Sequence, residues 1–322
     1  MTIQRPHLDI PSLLRFERRS IAAALNLIED RRPLRQAQAL ALLDECAALP
    51  AGAHVVGITG PPGVGKSSLI ARLIDLAARQ KRRLAIVAVD PSSKVSGGAI
   101  LGDRSRMHVP LDAPVYMRSF AAHDRLGGLS REAFSAVFLL RHFCDLVLVE
   151  TVGVGQSETD VAHVADTVVL VVQPFSGDLL QFIKAGVMEI PDVLAVNKAD
   201  DEALARKAMA DVQAALSYER HQWARPVLAV SAATNLHIED LDAAIAAHHA
   251  HLTTNGDLPL KRAERTLAWV VGEIVHEVGQ RGLHALGGAD GVAVWWRHQP
   301  ADWSELRRLT VLLATLRWRV EA

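Results

Sequence analysis

Short, continuously apolar segments recur through the middle of the chain, and each is followed by polar or glycine-containing residues. The segments are rich in β-branched residues, and stretches with a helical pattern lie between them. This alternation predicts an α/β fold with a mostly parallel central sheet that helices cover on both faces. In such a sheet, functional residues gather at the carboxyl ends of the strands. The predicted strands are His54–Thr59, Leu84–Val89, Leu146–Val149, Thr167–Val172, Val193–Val196 and Val227–Val230.

The two ends of the chain show helical patterns instead. Residues 11–49 predict two helices, and the second begins at Pro33, because proline suits the first helical turn. Leu260–Gln280 and Ser304–Arg319 predict two further helices. The loop predicted between them contains four glycines, Gly282, Gly287, Gly288 and Gly291. These patterns divide the chain into an N-terminal helical extension (1–50), an α/β domain (51–255) and a C-terminal helical region (256–322).

The composition narrows the class of protein. Of the 322 residues, 50% are hydrophobic, which allows a sizeable core and excludes a wholly disordered chain. Thirty-five basic and thirty-six acidic residues give a net charge of −1, so there is no general attraction to nucleic acid or anionic membranes. Cys46 and Cys144 cannot build a disulfide framework, and no apolar run approaches the ~20 residues of a membrane span. We expect a soluble, cytoplasmic protein with neither nucleic acid nor membrane as a partner.

A phosphate-binding motif follows the first predicted strand. Residues 60–67 fit the pattern G-x-x-x-x-G-K-[ST] between a strand and a helix, which is the context that a P-loop requires. Backbone N–H groups of such a loop turn toward phosphate oxygens, and the helix dipole adds to the attraction. We expect Lys66 to bridge the terminal phosphates and the Ser67 hydroxyl to bind Mg²⁺. The predicted phosphate-binding residues are Gly60, Pro61, Pro62, Gly63, Val64, Gly65, Lys66, Ser67 and Ser68. The fold class is therefore a P-loop NTPase.

A second motif, Asn197-Lys198-Ala199-Asp200, follows a later strand and resembles the N-K-x-D element of GTP-binding proteins. A carboxylate in the plane of the base accepts hydrogen bonds from the ring N–H and exocyclic amine of guanine, which adenine does not present there. Asp200 therefore predicts GTP rather than ATP, with Asn197 bracing the loop and the Lys198 stem covering the base. Ser231-Ala232, after the next strand, resembles the element whose backbone contacts the guanine carbonyl oxygen.

Acidic residues at strand ends predict a metal site and a switch. Glu150 begins Glu-Thr-Val-Gly, which resembles the second switch of a GTPase, and Gly153 would present its N–H to the γ-phosphate. Asp90 and Asp103 are further carboxylates at expected metal distance. Mg²⁺ usually takes one or two carboxylates, so which of the three binds it directly stays open. The predicted catalytic residues are Lys66, Asp90, Glu150 and Gly153, and the predicted metal ligands are Ser67, Asp90, Asp103 and Glu150.

The residue after the switch glycine is also informative. Many switch GTPases place a glutamine there to orient water, whereas this chain has Val154, and Gln156 lies two residues further on. We therefore expect slow intrinsic GTP hydrolysis, completed by a partner or by rearrangement of the switches.

These stretches together resemble the MeaB/ArgK family of methylmalonyl-CoA mutase-associated GTPases. Besides the P-loop, the resemblance rests on Asp90-Pro-Ser-Ser93, on Glu150-Thr-Val-Gly-Val-Gly-Gln-Ser157, and on Gly177-Asp178 in the stretch leading to the N-K-x-D element. It covers about residues 50–250. Residues 121–125 and the part beyond 260 depart from the family pattern, which leaves the partner-facing switch and the dimer geometry open.

The resemblance implies a Mg²⁺-dependent GTPase that serves as a G-protein chaperone for an adenosylcobalamin-dependent acyl-CoA mutase. GTP hydrolysis would gate cofactor loading and the release of inactive cofactor, and the mutase rather than this chain would hold the cobalamin. Segments 90–107, 118–131 and 150–158 would change shape as switches. The resemblance also implies a homodimer with a C-terminal dimerisation region.

Two other functions stay open. A nickel-type metallochaperone GTPase would use the histidines at 248, 249 and 251, or Cys144, as ligands. A kinase of a transport-system binding protein would transfer the phosphoryl group to a protein instead of to water.

Overall fold

The computed structural model describes residues 8–90, 112–121, 129–151, 160–174, 187–216 and 223–321. The chain forms two compact units, of which one is Ala53–Leu258 and the other combines Met1–Gly52 with Pro259–Ala322. The strands are β1 (His54–Thr59), β2 (Leu84–Asp90), β3 (Val115–Ala121), β4 (Leu146–Glu150), β5 (Thr167–Val172), β6 (Val193–Val196) and β7 (Val227–Ala229). The helices are α1 (Ile10–Leu14), α2 (Arg18–Ile28), α3 (Pro33–Ala47), α4 (Lys66–Arg79), α5 (Arg131–Leu140), α6 (Glu202–Leu216), α7 (Ile238–Thr254), α8 (Asp257–Ala285), α9 (Gly288–Arg297) and α10 (Glu305–Glu321).

The seven strands form one parallel sheet in the order β3-β2-β4-β1-β5-β6-β7. This confirms the predicted α/β fold with its parallel sheet. The central strands β1, β4, β5 and β6 are buried along their whole length, which explains their uninterrupted apolar sequences. Helix α4 packs Leu69, Ile70, Leu73 and Ile74 into the same core as β1, so the segment after the P-loop is fixed firmly to the sheet.

Strand β3 was not predicted, because it lacks a continuous apolar run. Among the described strands, it lies at the edge of the sheet and pairs with β2 alone, with Arg118 in register with Val87. Residues 116–119 of this strand are half-buried, while Val115 at its start and Phe120 next to its end are buried. An edge strand has one unpaired side and tolerates polar residues, so hydrophobicity alone does not mark it.

The unit formed by the two ends of the chain is helical. Pro33 occupies the first turn of α3, as predicted. The prediction of two N-terminal helices was wrong, because Phe16 has a φ of +58° and separates α1 from α2. Asp44 of α3 accepts hydrogen bonds from the backbone N–H and hydroxyl of Ser304, at 2.9 and 2.7 Å, and pairs with Arg307. These bonds tie α3 to the start of α10.

The predicted glycine loop between residues 280 and 304 was also wrong. A kink at Gly279, which has a φ of +68°, divides α8 close to the predicted helix end at Gln280. Gly282 lies in the second part of α8, and α9 begins at Gly288. Gly287 and Gly288 have φ values of +84° and +73° and make a tight turn between the two helices. A Cβ at Gly291 would stand 1.6 Å from the Leu286 carbonyl oxygen, so this glycine permits a close approach of α9 to the turn.

In the part of the chain that the structure describes, no helix combines the length and the apolar character needed to cross a membrane.

Candidate functional site

The loop between β1 and α4 is shaped by glycines at two positions. Gly60 has a φ of +141°, and a Cβ there would stand 2.1 Å from the Val171 carbonyl oxygen of β5. Gly65 has a φ of +96° and a Cβ there would stand 2.5 Å from Asn197 Nδ2. Both positions therefore require glycine for the backbone angle and for space. Helix α4 begins directly afterwards, at Lys66, and its positive end faces the loop.

Lys66 and its neighbours place charge and exposed backbone at this loop. The buried Lys66 ammonium donates to the carbonyl oxygens of Gly60 and Pro61, at 2.8 and 3.1 Å. Pro62, Gly63 and Ser68 are exposed, whereas Val64 is buried against the sheet. The loop thus combines a lysine charge, a helix N-terminus and solvent access, which together favour an anion such as a phosphate.

Ser67 and Glu150 meet beside the P-loop. The Ser67 hydroxyl donates to Glu150 Oε1 at 2.8 Å, and Glu150 is 5% exposed. Glu150 ends β4, which lies next to β1, and the Thr151 hydroxyl donates to the Thr59 hydroxyl at 3.1 Å across the same strand ends. A hydroxyl and a carboxylate are the oxygen ligands that Mg²⁺ prefers, so this pair fits a Mg²⁺ site.

The remaining predicted metal and switch residues are placed only in part. Asp90 ends β2, the neighbour of β4, so its backbone lies at the same edge of the sheet as Glu150. Asp103, Gly153, Val154, Gln156 and the Gly177-Asp178 pair lie outside the described residues, as do most residues of the three predicted switch segments.

Asn197 joins three loops at the carboxyl edge of the sheet. Its side-chain Nδ2 donates to the Val64 carbonyl oxygen of the P-loop at 2.8 Å. Its Oδ1 accepts from the backbone N–H of Ala232, after β7, at 3.1 Å. Asn197 is 2% exposed, so both bonds are shielded from water. The geometry thereby brings the predicted phosphate motif and both predicted base motifs to one place.

The other two residues of the N-K-x-D element face the same loops. Asp200 is exposed, and its Oδ1 accepts a hydrogen bond from the buried Ser231 hydroxyl at 2.7 Å. Lys198 has a φ of +61°, and its ammonium donates to the Gly63 carbonyl oxygen at 2.7 Å and to Gln173 Oε1 at 2.6 Å. Each predicted base-binding residue is therefore linked to a neighbouring loop.

Two contributors were missed by sequence reasoning. Gln173, directly after β5, bonds Lys198 as described above. Arg72 of α4 donates to the carbonyl oxygens of Ala232 and Ala233, at 2.7 and 3.2 Å, and so supports the loop after β7 from below. Gln173 had a signal, because it is the polar residue at the end of a buried strand. Arg72 had none, since one arginine on a helix is ordinary.

His54 and His248 lie at the opposite end of the strands from the P-loop. The Thr167 hydroxyl is 2.7 Å from His54 Nε2 and 2.8 Å from His248 Nδ1, and His248 Nε2 is 3.3 Å from Asp192 Oδ1. His54 and Thr167 are the first residues of their strands, so this chain of contacts is far from the strand ends that carry the P-loop. Within the described ranges, no group of three His, Cys, Asp or Glu side chains is arranged to hold a metal ion.

The cysteines are also poor ligands. Burial raises the pKa of the Cys46 thiol to about 12 and raises the pKa of the Cys144 thiol as well. Because the thiolate is the form that binds metals, neither side chain favours a nickel site.

Comparisons with known proteins agree with this geometry. The model of the family described as "Methylmalonyl Co-A mutase-associated GTPase MeaB" matches residues 21–285. The chain is 40% identical over 263 residues to "Putative GTPase PH0274" of Pyrococcus horikoshii, covering 80% of this chain and 81% of that protein. It is 36% identical over 277 residues to "GTPase ArgK" of Escherichia coli K12, covering 84% of each. A solved structure described as "Crystal structure of LAO/AO transport system kinase" aligns with a TM-score of 0.68 and 27% identity, covering 94% of this chain and 96% of that one.

Proposed function

The chain belongs to the MeaB family of methylmalonyl-CoA mutase-associated GTPases, and we propose that it uses Mg²⁺-dependent GTP hydrolysis to control an adenosylcobalamin-dependent acyl-CoA mutase. In this proposal, hydrolysis gates loading of the cofactor and release of inactive cofactor, and the cobalamin stays with the mutase. The proposal also includes a homodimer formed through residues 256–322 and a cytoplasmic location. The observation that carries the nucleotide part is the Asn197 side chain, which joins the P-loop to the loop after β7.

The phosphates of GTP would lie at the P-loop. Lys66 would exchange its bonds to the Gly60 and Pro61 carbonyl oxygens for bonds to phosphate oxygens, and the N-terminus of α4 would add its dipole. Ser67 and Glu150 would hold Mg²⁺, which neutralises the negative charge that develops on the phosphates during transfer. Backbone N–H groups of the loop would orient the terminal phosphate for attack by water.

The base would lie between Lys198 and Asp200. The Ser231 hydroxyl fixes the direction of the Asp200 carboxylate, so it is prepared to accept hydrogen bonds from guanine. Lys198 is held at both Gly63 and Gln173, so its methylene stem offers an apolar wall to one face of the base. Adenine lacks the two donors that this carboxylate needs, so ATP leaves Asp200 unpaired.

The conformational change that a partner would sense is proposed to occur where β2, β3 and β4 end. Asp90, Ala121 and Glu150 are the last residues of these strands, and the three predicted switch segments lead on from them. Loss of the γ-phosphate would remove the partner of the Gly153 N–H and change the surroundings of the Mg²⁺ that Glu150 would hold, and a bound mutase would respond to the new arrangement. The name of the family is what identifies a mutase as the client in this proposal.

The first experiment measures the GTP hydrolysis rate of the purified protein with Mg²⁺, alone and with each adenosylcobalamin-dependent acyl-CoA mutase of its own organism. We expect slow hydrolysis alone and an acceleration of roughly tenfold or more by one mutase, since partners supply such enhancements to switch GTPases. Tight GTP binding without acceleration by any mutase would contradict the proposal of a mutase client. It would leave the proposal of a GTPase in place. The Lys66→Ala variant serves as the hydrolysis-deficient control.

A protein kinase is the second candidate, because the aligned structure with a TM-score of 0.68 is described as a transport system kinase. The two functions differ in the acceptor of the phosphoryl group. With GTP labelled in its γ-phosphate, a GTPase releases label as inorganic phosphate, whereas a kinase leaves it on a protein. Label on a transport-system binding protein, absent with Lys66→Ala, would favour the kinase.

A further inference from the structure

The Lys198 side chain is held from two sides by neighbouring loops. Its ammonium donates to the Gly63 carbonyl oxygen of the P-loop at 2.7 Å and to the Gln173 amide oxygen at 2.6 Å. Gln173 directly follows β5, and β5 lies between β1, which leads into the P-loop, and β6, which leads into Lys198. The amide therefore stands between the phosphate loop (the P-loop, residues 60–67) and the base loop (the N-K-x-D element, residues 197–200).

Such a double contact matters because Lys198 is exposed and its side chain has four rotatable bonds. A lysine of this kind loses much rotamer entropy when it is fixed in one conformation. If the protein fixes that conformation before the nucleotide arrives, the ordering no longer opposes binding. Bonds between a charged donor and neutral oxygens are stronger than those between neutral groups, so two of them can order the stem.

We propose that Gln173 is a positioning residue for guanine-nucleotide binding. By accepting a hydrogen bond from the Lys198 ammonium, Gln173 holds this ammonium against the Gly63 carbonyl oxygen and sets the Lys198 stem where one face of the base packs. It does not need to touch the nucleotide. This inference rests on the proposed nucleotide site, and it adds a residue that belongs to neither the P-loop nor the N-K-x-D element.

The first test compares two variants of the full-length protein. Gln173→Leu has a similar size but no acceptor, and Gln173→Glu keeps an acceptor oxygen for the lysine. The dissociation constant of GDP is measured with Mg²⁺ by isothermal titration calorimetry. We expect Gln173→Leu to bind GDP roughly tenfold more weakly, which is the loss of one hydrogen bond to a charged group, and Gln173→Glu to stay within about threefold of the wild type.

The second test asks whether Gln173 acts through Lys198. Lys198→Met retains an unbranched stem and removes the ammonium, so in this background Gln173 has no charge to hold. We expect Gln173→Leu to change the GDP affinity by less than about twofold in the Lys198→Met protein, giving a clear coupling in the double-mutant cycle. A residue that only stabilised the end of β5 would weaken binding equally in both backgrounds.

The outcomes separate this inference from the proposed function. Tight GDP binding by the wild type, a loss with Gln173→Leu, rescue by Gln173→Glu and no loss in the Lys198→Met background would support it. Unchanged binding by Gln173→Leu, or an equal loss in both backgrounds, would overturn it while the nucleotide site stands. A wild type that binds no guanine nucleotide would overturn both. If Gln173→Leu lowers the melting temperature of the free protein, Gln173→Glu and the cycle still decide.

Discussion

Asn197 and Gly65 approach each other so closely that a Cβ on residue 65 would stand 2.5 Å from Asn197 Nδ2. The Asn197 amide thus occupies the space that the Cβ of any residue other than glycine would need at position 65. At the same time, this amide donates to the carbonyl oxygen of the adjacent Val64 at 2.8 Å. The phosphate loop and the base loop therefore depend on each other for their shape.

Gly65→Ala should weaken GDP binding far more than Gly63→Ala does. Both glycines have positive φ values, so both substitutions strain the backbone, but a Cβ at Gly63 meets nothing within 4 Å. The clash with Asn197 adds to the strain only at residue 65. We expect a difference of roughly tenfold or more in the dissociation constant, measured by calorimetry. Equal losses for the two variants would show that the contact with Asn197 has no effect on binding.

Asp200→Asn should change the base preference from guanine toward xanthine. The carboxylate only accepts hydrogen bonds, whereas an amide presents one acceptor and one donor, which suits the ring N–H and the carbonyl that xanthine has in place of the guanine amine. We expect GDP affinity to fall by roughly 100-fold or more and xanthosine diphosphate to bind better than GDP.

Asp201→Asn is the matched control for this exchange. Asp201 is exposed and its Oδ1 caps the backbone N–H groups of Ala203 and Leu204 at the start of α6, a task that asparagine performs equally well. Its preference for GDP over xanthosine diphosphate should equal that of the wild type. A similar change of nucleotide preference in both variants would show that Asp200 is not the residue that recognises the base.

Ser67→Ala should remove the dependence of GTP affinity on Mg²⁺. The Ser67 hydroxyl bonds Glu150 Oε1 at 2.8 Å, and we expect both oxygens to serve the cation. In the wild type, removal of Mg²⁺ with EDTA should weaken GTP binding roughly tenfold or more, whereas the variant should bind weakly with and without the metal. A variant that still gains affinity from Mg²⁺ would place the cation on other ligands.

Asp44→Ala should destabilise the helical unit of the two chain ends. Asp44 accepts two hydrogen bonds from Ser304 and pairs with Arg307, so its loss leaves the start of α10 without this carboxylate. We expect the free energy of unfolding to fall by about 1–3 kcal/mol in urea titrations. Glu45→Ala, at an exposed neighbouring carboxylate, should change it by less than about 0.5 kcal/mol. Equal losses of unfolding free energy in the two variants would show that the contacts of Asp44 with Ser304 and Arg307 do not stabilise this unit.

Asp145→Asn should lower stability at neutral pH and lose this effect in acid. Burial by itself would raise the pKa of the Asp145 carboxyl, but hydrogen bonds from the Arg83 side chain and backbone and the positive charges of Arg83 and Arg82 outweigh it and lower the pKa. A lowered pKa in the folded state means that Asp145 stabilises the protein above the usual aspartate pKa of about 3.9 and loses this contribution as the pH falls below it.

The free energy of unfolding in urea is measured for the wild type and for Asp145→Asn at pH 7, at pH 5 and at about pH 3.5. The lowest of these values is close to the usual aspartate pKa. The stability gap should be largest at the two higher pH values and narrow at the lowest. Because the pair is partly exposed, 1 M salt should also narrow the gap at pH 7. A gap that is constant at all three pH values would exclude the ion pair as its source.

The central strands and the motif residues could be predicted because buried parallel strands and phosphate loops leave strong local signals. Gly65 and Lys66 lie in a motif whose spacing is fixed by the chemistry of phosphate binding. The contact partners of these residues leave no such signal. Arg72 supports the loop after β7 through two hydrogen bonds, but one arginine on a helix is ordinary. Gln173 has only the weak signal of a polar residue at the end of a buried strand, and this signal does not reveal its bond to Lys198.

The errors have equally local causes. Strand β3 was missed because an edge strand does not need to be apolar on both faces, and Arg118 and Ser119 interrupt its pattern. The glycines near residue 288 favour a loop in a sequence-based prediction because glycine usually breaks helices. Here Gly287 and Gly288 supply two positive φ values for a tight turn, and Gly291 makes room for the Leu286 carbonyl oxygen. Backbone geometry of this kind becomes visible only when the two helices are seen together.

The order of the strands separates two tasks on either side of β1. On one side, β4 and β2 end in Glu150 and Asp90, for which we propose roles in the metal site and the switches. On the other side, β5, β6 and β7 lead to Gln173, Asn197 and Ser231, which we propose to support the base. Substitutions in the β5–β7 half should therefore change the nucleotide specificity of the protein. They would leave unchanged the half that we propose to contact a partner. A variant that binds a non-natural nucleotide instead of GTP could then be activated selectively in a cell that contains GTP.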